Sequence, residues 1–391
     1  MIGLIELHDL TSLEQYRMTW DDLWRQTLPK SFCQSYAWFS AYARHFLPEN
    51  SLRVLVASVN GKTLGIVPLV IRHVETGVGT LRMLTYPRCS WGSIDRPIGP
   101  HPTAAIMLAM RHLQQSPADW DLIDLREIRD GGGNHSRLSN SLRNAGLAFR
   151  HRDWDTQSTV CCETDWWTYW SNRPAPLKER AASAYRDFAR QGEIELIRQR
   201  EVTPQSQVRS RQFSSYTGRW GNQFSGVDLW TQFESLANLP QRDVSFLREV
   251  HPQAAQLGMA DLAVLRVGRE PIAAAYGWHA AGDVTNCWLG QGTDQPESAG
   301  TLLMETLLQD SFARGDRQMR LRGDEHPAFA DWETDRETTS RFTHFSTTST
   351  RAQMLRLNQY VRQLWHGPET AHATIAGPKS IVPAPRFNVV G

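Results

Sequence analysis

Four small residues in a row, Ser298, Ala299, Gly300 and Thr301, open a stretch whose spacing predicts a helix to Arg314. The first turn of a helix carries amides without internal partners, together with the positive end of the helix dipole. With small side chains there, a phosphate can approach those amides closely. Read alone, the same four residues make an ordinary helix entry with Ser298 or Thr301 as its cap. The second chemistry-bearing group is Gly323-Asp324-Glu325, at the end of a predicted strand, Gln318 to Arg322. A carboxylate at a strand's C-terminal end can take a proton from an amine or hydroxyl nucleophile. Read alone, this triplet is an acidic turn.

Other patterns carry no chemistry. The sequence has no GxSxG and no HExxH. Asp130-Gly131-Gly132-Gly133 lacks the Lys-Ser/Thr of a phosphate-binding loop, and Gly290-Gln291-Gly292 is too short for a dinucleotide fingerprint. Cys33, Cys89, Cys161, Cys162 and Cys287 show no CxxC spacing, and the 13 histidines show no ligand spacing, so no metal site is expected. Trp166, Trp167 and Trp170 read as helix packing.

The elements that must position these groups fall into two halves. In the first, Leu52 to Val59, the Asn60-Gly61 turn and Thr63 to Arg72 read as a hairpin. A strand over Thr80 to Thr85, a Pro-, Gly- and Trp-rich loop, a helix over Thr103 to Gln115 and a strand over Asp121 to Arg126 follow. In the second half, a helix over Phe246 to Leu257 stops at Gly258. Strands over Asp261 to Val267, Pro271 to His279 and Asp283 to Leu289 come next, then a loop, the helix ending at Gly315, and the strand from Gln318. The plan repeats after about 210 residues, too long a period for a solenoid, and predicts two domains of one fold. Their expected limits are 1–160 and 161–345, followed by a helix over 346–366 and a mobile tail over 367–391.

Composition bounds the partners. Of 391 residues 40% are hydrophobic, enough to bury real cores, and 42 basic residues against 41 acidic leave a net charge of +1. Nucleic acid or an anionic membrane usually calls for a basic surplus, so neither is the expected main partner. Only four basic residues are lysines (Lys30, Lys62, Lys178, Lys379), an arginine bias best read as compositional. The one stretch with a local surplus is Ser171 to Trp220, with ten basic and five acidic residues. The start has no basic region before an apolar core, and no run approaches the ~20 residues of a membrane span. A soluble, cytoplasmic protein is expected.

In their order and spacing these elements resemble the CelD-like (BioF2-like) acetyltransferases of the GNAT superfamily, relatives of the Fem-type aminoacyl transferases. The resemblance runs over about residues 15 to 345. It lies in Trp24, Phe32-Cys33-Gln34-Ser35-Tyr36-Ala37-Trp38 and Gly65-Ile66-Val67-Pro68-Leu69. It continues in Lys178-Glu179-Arg180 through Gly192, Arg219-Trp220, Pro271-Ile272-Ala273, Ser298-Ala299-Gly300, Gly323-Asp324-Glu325 and Trp332. Each motif is short; the weight is in the series.

The resemblance implies an α/β (α+β) fold of two tandem GNAT-like domains, each a mixed, mostly antiparallel sheet flanked by helices. It implies acetyl-CoA or another acyl-CoA as co-substrate, bound by the second domain, with Ser298, Ala299, Gly300 and Thr301 at its diphosphate. A small polar or sugar acceptor, such as a polysaccharide precursor, would attack the thioester directly. Glu325 is the candidate base and Asp324 the second. Arg219 is a candidate for binding an anionic group, and Tyr276 and Trp278 for lining the site. The chain departs from the family pattern where Ser214 to Gly218 lacks a histidine, where His326-Pro327-Ala328-Phe329 replaces Tyr-Lys, and where Ala299 replaces proline. A divergent substrate and a non-catalytic member therefore both stand as readings, beside Fem-type transfer from charged tRNA.

Overall fold

The computed structural model describes residues 2–129, 133–200, 209–212, 219–222, 228–321 and 329–366; for 209–212, 219–222 and 361–366 it describes the backbone. The Asp130–Gly132 turn and the 367–391 tail lie outside the described residues. The chain forms two compact units. Unit 1 runs from the N-terminus to Asp155 and resumes at Thr338; unit 2 is Thr156–Glu337.

Unit 1 begins with β1 (Ile2–Leu7), α1 (Leu10–Gln15), α2 (Arg17–Arg25) and α3 (Tyr36–Phe46). Next come β2 (Leu52–Val59), β3 (Lys62–Thr76), β4 (Gly79–Thr85) and the small hairpin β5 (Arg88–Cys89) and β6 (Gly92–Ser93). Helix α4 (Pro102–Gln115), β7 (Leu122–Ile128), α5 (Asn134–Asn144) and the first half of β8 (Arg150–Cys161) follow. Asn60 and Gly61 both take positive φ, 58-to-63 being the tight turn that a right-twisted hairpin requires. The sheet order is β1-β2-β3-β4-β7-β16, where β16 (Asp335–Phe345) returns from later in the chain. Only β4 and β7 pair in parallel, through Met83↔Leu122 and Leu84↔Ile123.

Unit 2 repeats this plan. After β8 come α6 (Trp166–Ser171), α7 (Ala175–Ala189), β9 (Ile194–Gln199), β10 (Arg209–Gln212) and β11 (Arg219–Asn222). Helices α8 (Leu229–Ala237) and α9 (Gln241–Gln256) lead into β12 (Ala260–Val267), β13 (Glu270–Ala280) and β14 (Asp283–Gln291). Helix α10 (Ser298–Arg314) and β15 (Gln318–Leu321) complete it, and α11 (Thr350–His366) follows β16. The order is β8-β15-β14-β13-β12-β9-β10-β11, and the parallel pair is β14 with β15. One face of the sheet, with Ala273, Ala275, Val284 and Leu289, packs against Leu302, Leu303 and Leu307 of α10 and Leu177 and Phe188 of α7.

Among the strands that escape the apolar patterns used above are β1, β8 and β16. In β16 four of the six buried positions are polar, Thr339, Arg341, Thr343 and His344, beside Phe342 and Phe345. Asp124, fully buried on β7, explains why. It accepts two hydrogen bonds from Arg341 at 2.6 and 3.0 Å, one from Arg126 and one from Thr343. The Arg126 and Arg341 guanidinium groups lie 4.6 and 5.0 Å from the Trp154 ring of β8. A buried charge set with partners replaces oil-like burial here.

Candidate functional site

The parallel pairing of β14 with β15 covers only Asp283–Thr285 against Gln318–Arg320. From Asn286 to Gln291, β14 continues with no partner on that side among the described residues. The other side of β14 stays paired to β13, but with a change of register. Tyr276 faces Trp288 and Gly277 faces Asn286, so Cys287 is an extra residue, a β-bulge. Gly277 is needed there: a Cβ would stand 2.2 Å from the Thr285 carbonyl oxygen. Among the described residues, β14 thus runs on past its last pair with β15, below the start of α10.

The start of α10 is built by tight turns. Ala299 donates to the Pro296 carbonyl at 2.9 Å and Gly300 to that of Glu297 at 3.1 Å. Glu297, the residue before the helix, is itself in helical conformation and no side chain of the cap position bonds the first turn. Instead the Gln291 side chain reaches forward, and its Oε1 accepts from the Gly300 amide at 3.2 Å. The Ser298 amide has no hydrogen-bond partner among the described residues. Of the four expected phosphate contacts, Ala299 and Gly300 are buried, and Ser298 and Thr301 half-buried. Gln291 was not visible as a site residue in the sequence; its carboxamide oxygen stands where an anionic oxygen would. Asp294 and Glu297 are exposed at the same loop, whose stretch from Gly290 to Thr301 has no basic residue. An anion docking here gains from amides and dipole and works against two carboxylates.

Helix α10 is buried along most of its circumference, except for one half-buried stripe: Ser298, Thr301, Glu305, Gln309 and Phe312. Phe312 packs on Trp166 and Tyr169 of α6, and the Tyr169 hydroxyl donates to the Trp332 carbonyl at 2.6 Å. The stripe therefore looks toward the α6 side of the unit. Glu305 lies seven residues after Ser298, so on the same face and about 10 Å along the axis. It has no hydrogen-bond or ionic partner among the described residues, and burial pushes its carboxyl up to about 7. This carboxylate too was missed, because a lone Glu in a Leu-rich helix has no motif.

The opposite flank of α10 is pinned. Arg198 of β9 forms a two-point pair with Asp261 at 2.7 and 2.6 Å. Its remaining Nη1 donates to Asp310, Ser311 and the Leu307 carbonyl of α10 at 3.2, 2.8 and 3.3 Å. Arg200 pairs with Asp316 at 2.7 and 2.6 Å, and Arg314 with Asp310. Burial opposes the charge of Arg198, but Asp261, Asp310 and Asp316 outweigh it and hold its ionisation above the usual range. Burial likewise opposes the Asp261 charge, and Arg198 and Arg200 overcome it and lower its carboxyl. Several of the basic residues from Ser171 to Trp220 are thus spent inside the unit. Arg173 reaches the Asp331 and Glu333 carbonyls, and Arg180 pairs with Asp331.

Tyr276 and Trp278 lie on the other face of β13. Tyr276 is 0% exposed and Trp278 4%. They meet each other, and Tyr276 is stacked on Phe233 of α8, with its hydroxyl 3.2 Å from Nδ1 of His251 on α9. Burial pushes His251 down to about 4, which keeps it neutral. Strand alternation separates this aromatic group from α10, which packs on Ala273 and Ala275. The structure brings Gln291 to the turn Ser298 to Thr301, sets Glu305 two turns further along the same helix face, and does not bring Tyr276 or Trp278 to them. Asp324 and Glu325 lie outside the described residues; Arg219 opens β11, and its side chain is outside them too.

Residues 178–330 match the family model described as an acetyltransferase (GNAT) domain. The stretch runs from α7 past β15 and contains every group just described on α10 and β14. The GNAT-type transferase expected from the sequence is supported by this match. The chain is similar to the crystal structure of FemX, with 9% identity over 93% of this chain and 99% of that one, and a TM-score of 0.52. At that identity the likeness is one of fold. It is also similar to a tandem GNAT protein from the clavulanic acid biosynthesis pathway (14% identity, 89% and 100% covered, TM-score 0.44). A third similar structure is the C-terminal domain of a lysylphosphatidylglycerol synthetase from Agrobacterium fabrum (12%, 91% and 98%, 0.47). No curated protein sequence matches the chain. The mixed α/β fold in two units expected from the sequence is the fold observed, and the GNAT-domain match lies in the second unit. Among the described residues no group of three or more His, Cys, Asp or Glu side chains could hold a metal ion. No described helix is long and apolar enough to cross a membrane.

Proposed function

We propose that the chain is an acyltransferase that moves an acyl group, acetyl first, from coenzyme A to an amine or hydroxyl of a small polar acceptor. A sugar or polysaccharide precursor in the cytoplasm is the acceptor class we favour. The observation that carries this reading is the acetyltransferase-domain match over the stretch that holds α10 and the half of β14 beyond its described pairing with β15. Unit 1 offers a poorer donor site: its corresponding helix, α4, begins with Pro102, which has no amide, and the preceding loop buries Trp91, Ile94 and Ile98.

In unit 2 the Ser298 amide would bind the donor's diphosphate, and the Gly300 amide, which keeps its bond to the Glu297 carbonyl, would add a shared contact once Gln291 swings aside. Glu305 would accept the proton that the acceptor nitrogen or oxygen releases as it adds to the thioester carbon. The C–S bond then breaks, and the leaving sulfur regains that proton from Glu305, directly or through water, so that coenzyme A departs as the thiol. A carboxyl ionising near neutral pH suits that task. Glu325 and Asp324 stand as proposals for the same role, and Glu305→Gln and Glu325→Gln compared in one assay assign it. A second reading, a fold kept for binding without turnover, is favoured by the Gln291 contact and by the two carboxylates at the loop.

The test is release of free thiol from acetyl-CoA and longer acyl-CoAs across a panel of amines, amino sugars and sugar hydroxyls. Release that depends on the acceptor supports transfer. Binding of coenzyme A with no release from any pair supports the binding reading, and no binding at all rejects both.

A further inference from the structure

Asn286 is the first residue of β14 beyond its pairing with β15, and it sits immediately before the bulged Cys287. It is 5% exposed, yet among the described residues its Nδ2 has no hydrogen-bond partner. Buried amide donors are nearly always satisfied, so an unsatisfied one just past the described β14–β15 pairing points to an acceptor that arrives from outside. Its direction follows from strand alternation. Val284, two residues earlier, packs in the core under α10, so Asn286 points to that same face. Opposite it on β13 is Gly277, which has no side chain to compete for the space.

We propose that Asn286 is a donor-binding residue whose Nδ2 donates a hydrogen bond to a carbonyl oxygen of the acyl-CoA arm. The inference rests on the acyltransferase reading and adds a side chain to it. Two carbonyls have this chemistry, the thioester's and those of the pantetheine amides. A bond to the thioester oxygen strengthens as negative charge develops there, so it acts on turnover. A bond to a pantetheine amide acts equally on bound donor and transition state, so it acts on affinity.

The experiment uses the full chain and its variants Asn286→Leu and Asn286→Asp. Leucine keeps roughly the volume and removes a donor that has no partner in the free protein, so the thermal midpoint without ligand should hold or rise. Titration calorimetry with coenzyme A and acetyl-CoA, and kcat and KM for thiol release, supply the ligand side. About a tenfold loss is expected: in kcat, with coenzyme A affinity unchanged, for a thioester contact; in affinity for both ligands for a pantetheine contact. A lowered midpoint with ligand parameters unchanged would make the carboxamide structural and overturn the proposal. If Asn286→Leu does not fold, Asn286→Asp, of the same shape but lacking the N–H donor, must show the loss. A parent chain that binds neither ligand overturns the acyltransferase reading and this inference with it, whereas a parent that binds and variants that match it overturn this inference alone.

Discussion

Replacing Glu305 with Gln should make unit 2 more stable in alkali and less active. The carboxyl has no partner among the described residues, and burial moves it from its ordinary 4.5 to about 7. The sign follows from linkage. The folded state holds this proton more tightly than the unfolded chain does, so stability is highest below pH 4.5 and falls as pH rises toward 7. Above about 7 the full penalty applies. At about 1.4 kcal/mol per pH unit the interval gives roughly 3 kcal/mol, and because the side chain is half-buried we expect about 1–3 kcal/mol. For a unit of this size that is a rise of about 3–9 °C in the thermal midpoint of Glu305→Gln at pH 8, and no difference at pH 4.5. The assay is differential scanning calorimetry of both proteins at the two pH values without ligand. In acyl transfer the same variant should lose about 10²–10⁴-fold in kcat and lose the acid limb near pH 7. Equal midpoints at pH 8 would show that the carboxylate is solvated, and a retained kcat would remove it from proton transfer.

Two further predictions concern the same helix. Arg198→Met strips Asp261 and Asp310 of a buried partner and should destabilise unit 2 by about 3–5 kcal/mol in urea unfolding; a loss below about 1 kcal/mol would mean the network is not holding α10. Asp294→Asn and Glu297→Gln should each raise coenzyme A affinity by about 2- to 5-fold at low salt, a gain that fades by 0.5 M salt. Unchanged affinity in 20 mM salt would place the diphosphate away from this loop.

The units were legible in the sequence wherever an element obeys a simple period. The Asn60-Gly61 hairpin, the Gly258 and Gly315 helix stops and the order β12-β13-β14-α10-β15 all follow from turn residues and apolar spacing. Strand β16 was not legible, because its buried face is Thr339, Arg341 and Thr343 around Asp124, and a charge with partners looks in sequence like a charge in water. The site was legible only in part. The small residues opening α10 were visible, but not the Gln291 side chain that bonds Gly300, since that contact depends on where β14 ends. Glu305 and Asn286 were hidden for a related reason: having no partner is a property of the folded surroundings, not of the residue type. Tyr276 and Trp278 looked like lining because aromatic residues suit both cores and sites, and only strand alternation against α8 and α9 shows which face they occupy.

The central claim is that the first turn of α10 receives the diphosphate of coenzyme A. Titration calorimetry of coenzyme A into the full chain and into Ser298→Asp tests it most directly. Aspartate at that position suits the helix dipole, so the thermal midpoint should hold, while its charge should oppose the diphosphate. The account predicts one coenzyme A per chain, weaker with rising salt, and at least about a tenfold loss of affinity in the variant. No binding by the parent, or equal binding by both proteins, would contradict it.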